Sequence, residues 1–109
     1  MNFPESDWKQ LSRLKPLALE RLCQRILTET QALSAAAMEG EYHRVYLELY
    51  RHIQEQDRVV ADCFNDWRHA QALFLLMHWR QQRLLTEEEF AGFSAETRNL
   101  VDSWLSRNA

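Results

Sequence analysis

From Glu41 to Leu85 the chain contains neither glycine nor proline, and apolar residues recur at spacings of three and four. One series runs Tyr46, Ile53, Val60, Trp67, Phe74 and Gln81. A second, interleaved with it, runs Tyr42, Leu49, Gln56, Cys63, Ala70, Met77 and Leu84. Two positions in every seven return to one side of an α-helix, so this is the pattern of a coiled-coil seam. It predicts one long helix over about 41–84 whose stripe faces another helix. Asn65-Asp66 is the weak point, because short polar side chains compete for backbone hydrogen bonds and often cap or break helices. A break there would give two helices packed back on each other, but the apolar register passes through without a slip, so continuity or a slight kink at 65–66 is favoured. Away from the seam, Glu41 and Arg44, Glu48 and Arg51, and Glu55 and Arg58 are acid–base pairs spaced i, i+3, the mark of a solvated face.

Shorter elements flank this helix. Asp7 is placed to cap a first helix with Trp8, Leu11 and Leu14 facing inward. Pro16 should end it, since proline lacks a backbone donor and crowds the preceding turn. A second helix is expected from Pro16, with Leu19, Leu22, Cys23, Ile26, Thr30, Leu33 and Ala37 inward and a stop at Gly40. Downstream, Thr86 and Glu89 have the spacing of a capping box, and Ser94 is placed to cap a last helix with Leu100, Val101, Trp104 and Leu105 inward. The expected architecture is all-α: a single domain over 1–109, a helical hairpin or bundle built on one long heptad-patterned helix. The second helix should lie antiparallel to the first half of the long one, with the C-terminal helices on its second half. The run Ala37-Met38-Glu39-Gly40-Glu41-Tyr42 resembles the Gly-Glu-aromatic corner of helical hairpins, such as tetratricopeptide units and small flagellar-export chaperones. It implies a tight turn and assigns no function.

Composition narrows the function classes. Two glycines and two prolines in 109 residues exclude a turn-rich β architecture. Hydrophobic residues at 46% and charged residues at 27% are globular values. The formal net charge is −3 and the pI about 5.8, without the basic excess that phosphate binding requires, so no nucleic-acid partner is expected. No membrane association is expected either. The first residues lack a basic start and apolar run, and the most apolar stretch, Ala72 to Met77, is far short of the ~20 residues that span a bilayer. Cys23 and Cys63 lie far apart in helical contexts, which suits free thiols in a reducing cytoplasm.

Candidate chemistry is sparse. Glu48, His52, Glu55, Asp62, Asp66 and His69 share one stripe at spacings of three or four. Glu48 with His52, and Asp66 with His69, form the alternative reading of a small-ligand or metal-binding bundle. Di-metal bundles repeat a carboxylate-x-x-His motif on paired helices, and Asp66-Trp67-Arg68-His69 has no second copy, so a solvated stripe is the simpler reading. His43 and His52, and likewise His69 and His78, are nine apart and point to opposite sides of a helix. No nucleophile elbow, phosphate loop or Cys-x-x-Cys occurs. Neither catalysis nor a cofactor is expected.

The segment Leu73, Phe74, Leu75, Leu76, Met77 and Trp79 is apolar on nearly all sides. Such a helix must be covered all round, either by the first and last helices through Trp8, Leu11, Val101 and Trp104 or by a second subunit or partner protein, and the second cover is favoured because short elements cover a long helix poorly. The expected function is a non-catalytic protein–protein interaction module, with Leu73, Leu76, Trp79 and Arg80 as interface candidates and a homodimer as the expected assembly.

Overall fold

The computed structural model describes residues 2–108. The chain is all-α: α1 Glu5–Ala35, α2 Tyr42–Phe64, a 3-10 turn at His69–Gln71, α3 Ala72–Gln81, α4 Glu87–Ala91 and α5 Ala95–Arg107. No strand occurs among the described residues.

Pro16 does not end a helix. It lies inside α1, which runs unbroken for 31 residues, roughly 46 Å at 1.5 Å per residue. Leu11, Leu14, Ala18 and Leu22 form one buried line that crosses the proline. Burial of a leucine side chain contributes about 1.5–3 kcal/mol, and several together exceed the ~3 kcal/mol that an interior proline costs. Pro16 and Ser12 are both exposed, so water reaches the carbonyl that loses its donor. Asp7 is likewise not the cap. Pro4 occupies that position, and Asp7 sits in the first turn, buried.

The expected helix over 41–84 is two helices. α2 stops at Phe64, and Arg68 is extended at φ −132° and ψ 147°. The Arg68 guanidinium holds the Asp66 carboxylate through Nε at 2.6 Å and Nη2 at 2.8 Å. The chain then reverses, so that α3 packs against the end of α2. The fully buried Trp79 donates its indole N–H to the Cys63 carbonyl at 2.9 Å, satisfying an acceptor that the end of α2 leaves open. Trp67 stacks between Trp8 and Trp79, at 5.4 and 5.9 Å between ring centroids.

α3 ends in a Schellman motif. Leu84 N–H donates to the Trp79 carbonyl and Arg83 N–H to that of Arg80, both at 3.0 Å, with Arg83 left-handed at φ 58°. The Thr86–Glu89 capping box forms as expected, and Glu89 also pairs with Arg21 of α1 at 2.6 Å. Ser94 caps α5, and the Asp7 carboxylate closes the same end. It accepts from Ser94 N–H at 2.8 Å, Ser94 Oγ at 2.7 Å and Thr97 Oγ1 at 2.6 Å. The first turn of α1 is thereby tied to the start of α5.

These contacts gather the core at one end. Leu11, Leu14, Ala18, Leu22, Cys63, Leu76, Trp79, Leu84, Phe90, Phe93 and Val101 belong to one buried cluster. The rest of α1 and α2 projects from it as an antiparallel hairpin, joined by a turn in which Gly40 adopts φ +89°. The molecule measures 55 × 27 × 24 Å, with a radius of gyration of 16.8 Å against roughly 13 Å for a compact chain of this size.

Candidate functional site

Around the projecting part of α2, three arcs differ in chemistry. The inner arc, against α1, carries Val45, Leu49, His52, Gln56 and Val59. Leu49 and Gln56 belong to the expected seam, but Val45 and His52 take the inward places expected for Tyr46 and Ile53, while Val59 and Val60 both pack against the core. The seam is rotated by about one residue, or 100° for half of its members. One outer arc holds ion pairs. Arg44 contacts Glu41 at 2.8 Å and Glu48 at 2.7 Å, and these hydrogen bonds raise the guanidinium pKa further.

The opposite outer arc is apolar. Tyr42, Tyr46, Tyr50 and Ile53 are 64%, 62%, 58% and 45% exposed, with Leu47 at 44% beside them. Tyr46, Leu49, Tyr50 and Ile53 line a shallow groove of about 220 Å³. A second groove of about 270 Å³ lies at the open end of the hairpin, lined by Ser34 of α1, Ala37 of the turn that follows it, and Tyr42, Val45, Tyr46 and Leu49. The arc stays open because the facing residues are small, Ser34 at the end of α1 and Ala37 in the turn beyond it, and cannot act as knobs against a full heptad seam. Leu27, two turns before Ser34 and so on its face, is 67% exposed.

The residues expected to form an interface lie elsewhere. Leu76 and Trp79 are fully buried, and Leu73 is half-buried beside Phe3, His69 and Ala70. The Arg80 guanidinium lies 3.9 Å over the Phe90 ring and contacts Glu87 at 3.1 Å. The apolar girdle is thus covered by the chain's own helices, apart from Phe74, which is exposed.

The four residues of the metal alternative are not brought together. Glu48 accepts from Arg44, and Asp66 is held by Arg68, whose hydrogen bonds keep its carboxyl below the usual range. His52 Nε2 lies 3.0 Å from Glu29 Oε2 without the alignment of a hydrogen bond. His69 lies 2.7 Å from the Phe3 carbonyl and stacks on Trp8. Among the described residues no group of three or more His, Cys, Asp or Glu is placed to hold a metal ion. Cys63 is buried, and desolvation first, then the Asp62 charge, pushes its thiol up to about 12, so it stays protonated and inert at neutral pH.

The exposed arc was visible in the sequence only as half of a seam. The usable signal was residue type. Three tyrosines stand where a buried seam would carry leucine or isoleucine, and tyrosine's polar tip suits a surface that is wet until a partner covers it. Among the described residues no helix is long and apolar enough to cross a membrane. Comparison with known proteins returns no matching family model, no matching curated protein and no matching solved structure.

Proposed function

We propose that the protein is a non-catalytic interaction module that docks a helix of a partner protein along the apolar arc of α2. One observation carries this reading: Tyr42, Tyr46, Tyr50 and Ile53 form a continuous exposed stripe on a helix whose inner arc already packs on α1. Contiguous apolar surface of this kind marks interaction sites, and i, i+3/i+4 anchors beside a groove are the mode by which amphipathic helices bind. The lining suits binding rather than chemistry, because the groove walls are aromatic rings and aliphatic chains. The two free cysteines, one deeply buried, suit a reducing compartment such as the cytoplasm.

Site-specific photo-crosslinking in cells tests the reading. A photoreactive side chain at Tyr50 is expected to yield discrete protein adducts that Tyr46→Ser and Ile53→Ser suppress. The same group at Glu55, also exposed on α2 but away from the stripe, should yield none. Equal labelling from both positions, or none from Tyr50, rejects the docking surface.

A further inference from the structure

We infer that the occupant of the apolar arc is a second copy of the same arc, antiparallel to the first and related to it by a two-fold axis at Tyr50. The inference rests on the docking reading above and names its partner. His43, Tyr50 and Asp57 are spaced by seven residues, so they form a single line along α2, drifting by only about 20° per two turns. All three are exposed, with a histidine at one end, an acid at the other and a tyrosine midway.

A two-fold axis at the midpoint brings residue i of one copy to residue j of the other, and j to i. Antiparallel pairing then sets His43 against Asp57 twice, Leu47 against Ile53 twice, and Tyr50 against Tyr50. One turn further out, Tyr42 meets Arg58, a guanidinium over an aromatic ring. Parallel pairing would instead set Asp57 against Asp57, a like-charge contact. His43, Asp57 and Arg58 are free to serve, because none of them makes an ion pair among the described residues.

The available area agrees. At about 200 Å² for an aromatic side chain, the exposed parts of the three tyrosines offer roughly 400 Å². With Ile53 and Leu47 the surface reaches roughly 550 Å² per copy, and two copies together reach about 1,100 Å², just above the roughly 1,000 Å² that a specific interface must clear.

Light scattering on the full chain over a concentration series, with a melting curve for each variant, tests this. The wild type is expected to be a dimer. Tyr50→Glu sets two carboxylates against each other at the axis and should leave a folded monomer. Asp57→Lys should weaken dimerisation about thirtyfold, the scale of an interface hot spot. Adding His43→Glu to it should restore much of the loss by exchanging the charges. A wild type that stays monomeric, or a dimer that Tyr50→Glu leaves intact, overturns the inference. A monomer that still crosslinks from position 50 to a different protein overturns the second copy and leaves the docking reading standing. A monomer that crosslinks to nothing overturns both.

Discussion

The two ends of this molecule are built on the same long helix but held by different forces. At the core end, five helices converge and the polar groups among them are engaged: Trp79 on the Cys63 carbonyl, Asp7 on Ser94 and Thr97, and Arg21 on Glu89 and the Leu84 carbonyl. At the hairpin end only two helices meet. Val45 is buried there, while Tyr42, Tyr46, Tyr50 and Leu27 lie open. A two-helix hairpin can cover one arc of each helix and no more, so any further apolar arc stays open. The core end specifies the fold, and the hairpin end keeps the exposed apolar surface on which the proposed docking rests.

The largest expected effect breaks the core end. Trp79→Ala leaves a cavity, orphans the Cys63 carbonyl and removes the stacking partner of Trp67, and should destabilise by about 3–5 kcal/mol. Chemical denaturation reads this directly, and a loss below about 1 kcal/mol would show that the core is not organised around this indole. Next, Asp7→Ala strips three donors of their acceptor and frees α5 from α1, at a cost of about 2–3 kcal/mol. Hydrogen exchange should show the loss of protection concentrated in α5.

The Arg21–Glu89 pair makes a smaller, pH-dependent contribution. The Arg21 hydrogen bond holds the Glu89 carboxyl below its ordinary value of 4.5. The stabilisation is therefore complete above the unfolded carboxylate range and is lost as pH falls through the folded value. Glu89→Gln should flatten that acid limb of the stability profile, and an unchanged limb would assign the acid sensitivity to other carboxylates. Arg83→Gly relieves a left-handed residue at the end of α3 and should stabilise by about 0.5 kcal/mol, the backbone relief slightly exceeding the entropy cost of glycine. The smallest effect sharpens the contrast. Tyr46→Ser should shift the stability of the monomer by no more than about 0.5 kcal/mol, because the ring is exposed. A larger loss would mean that the ring supports the fold.

Local signals in the chain were legible where the physics is local. The Thr86–Glu89 capping box and the Ser94 cap are each completed within one turn, by side chains reaching neighbouring backbone groups, and both form as expected. The hairpin turn includes Gly40 as expected, although α1 stops at Ala35, before Ala37 and Gly40, instead of running on to the glycine. The helix-breaking strength of Pro16 and of Asn65-Asp66 was misjudged in opposite directions. The penalty at Pro16 is real, but burial of Leu11, Ala18 and Leu22 on either side outweighs it. At Asn65 the unbroken heptad register suggests continuity, yet its members divide between two helices and two environments: Cys63 and Met77 are buried in the core, while Tyr46, Ile53 and Phe74 are exposed.

The sequence by itself determined that the chain is all-α, where its short C-terminal helices begin, and that it carries more apolar helix surface than two helices can bury. Those properties follow from backbone propensity, capping and the period of the side chains. Only the tertiary structure decided which apolar segment is core and which is surface. Leu73 to Trp79 is apolar on nearly all sides and was the expected interface, but α1, α2 and α5 close over it. The tyrosine stripe of α2 lies where no such cover reaches. Burial is a property of what lies opposite a side chain, and no pattern along one helix records its neighbours.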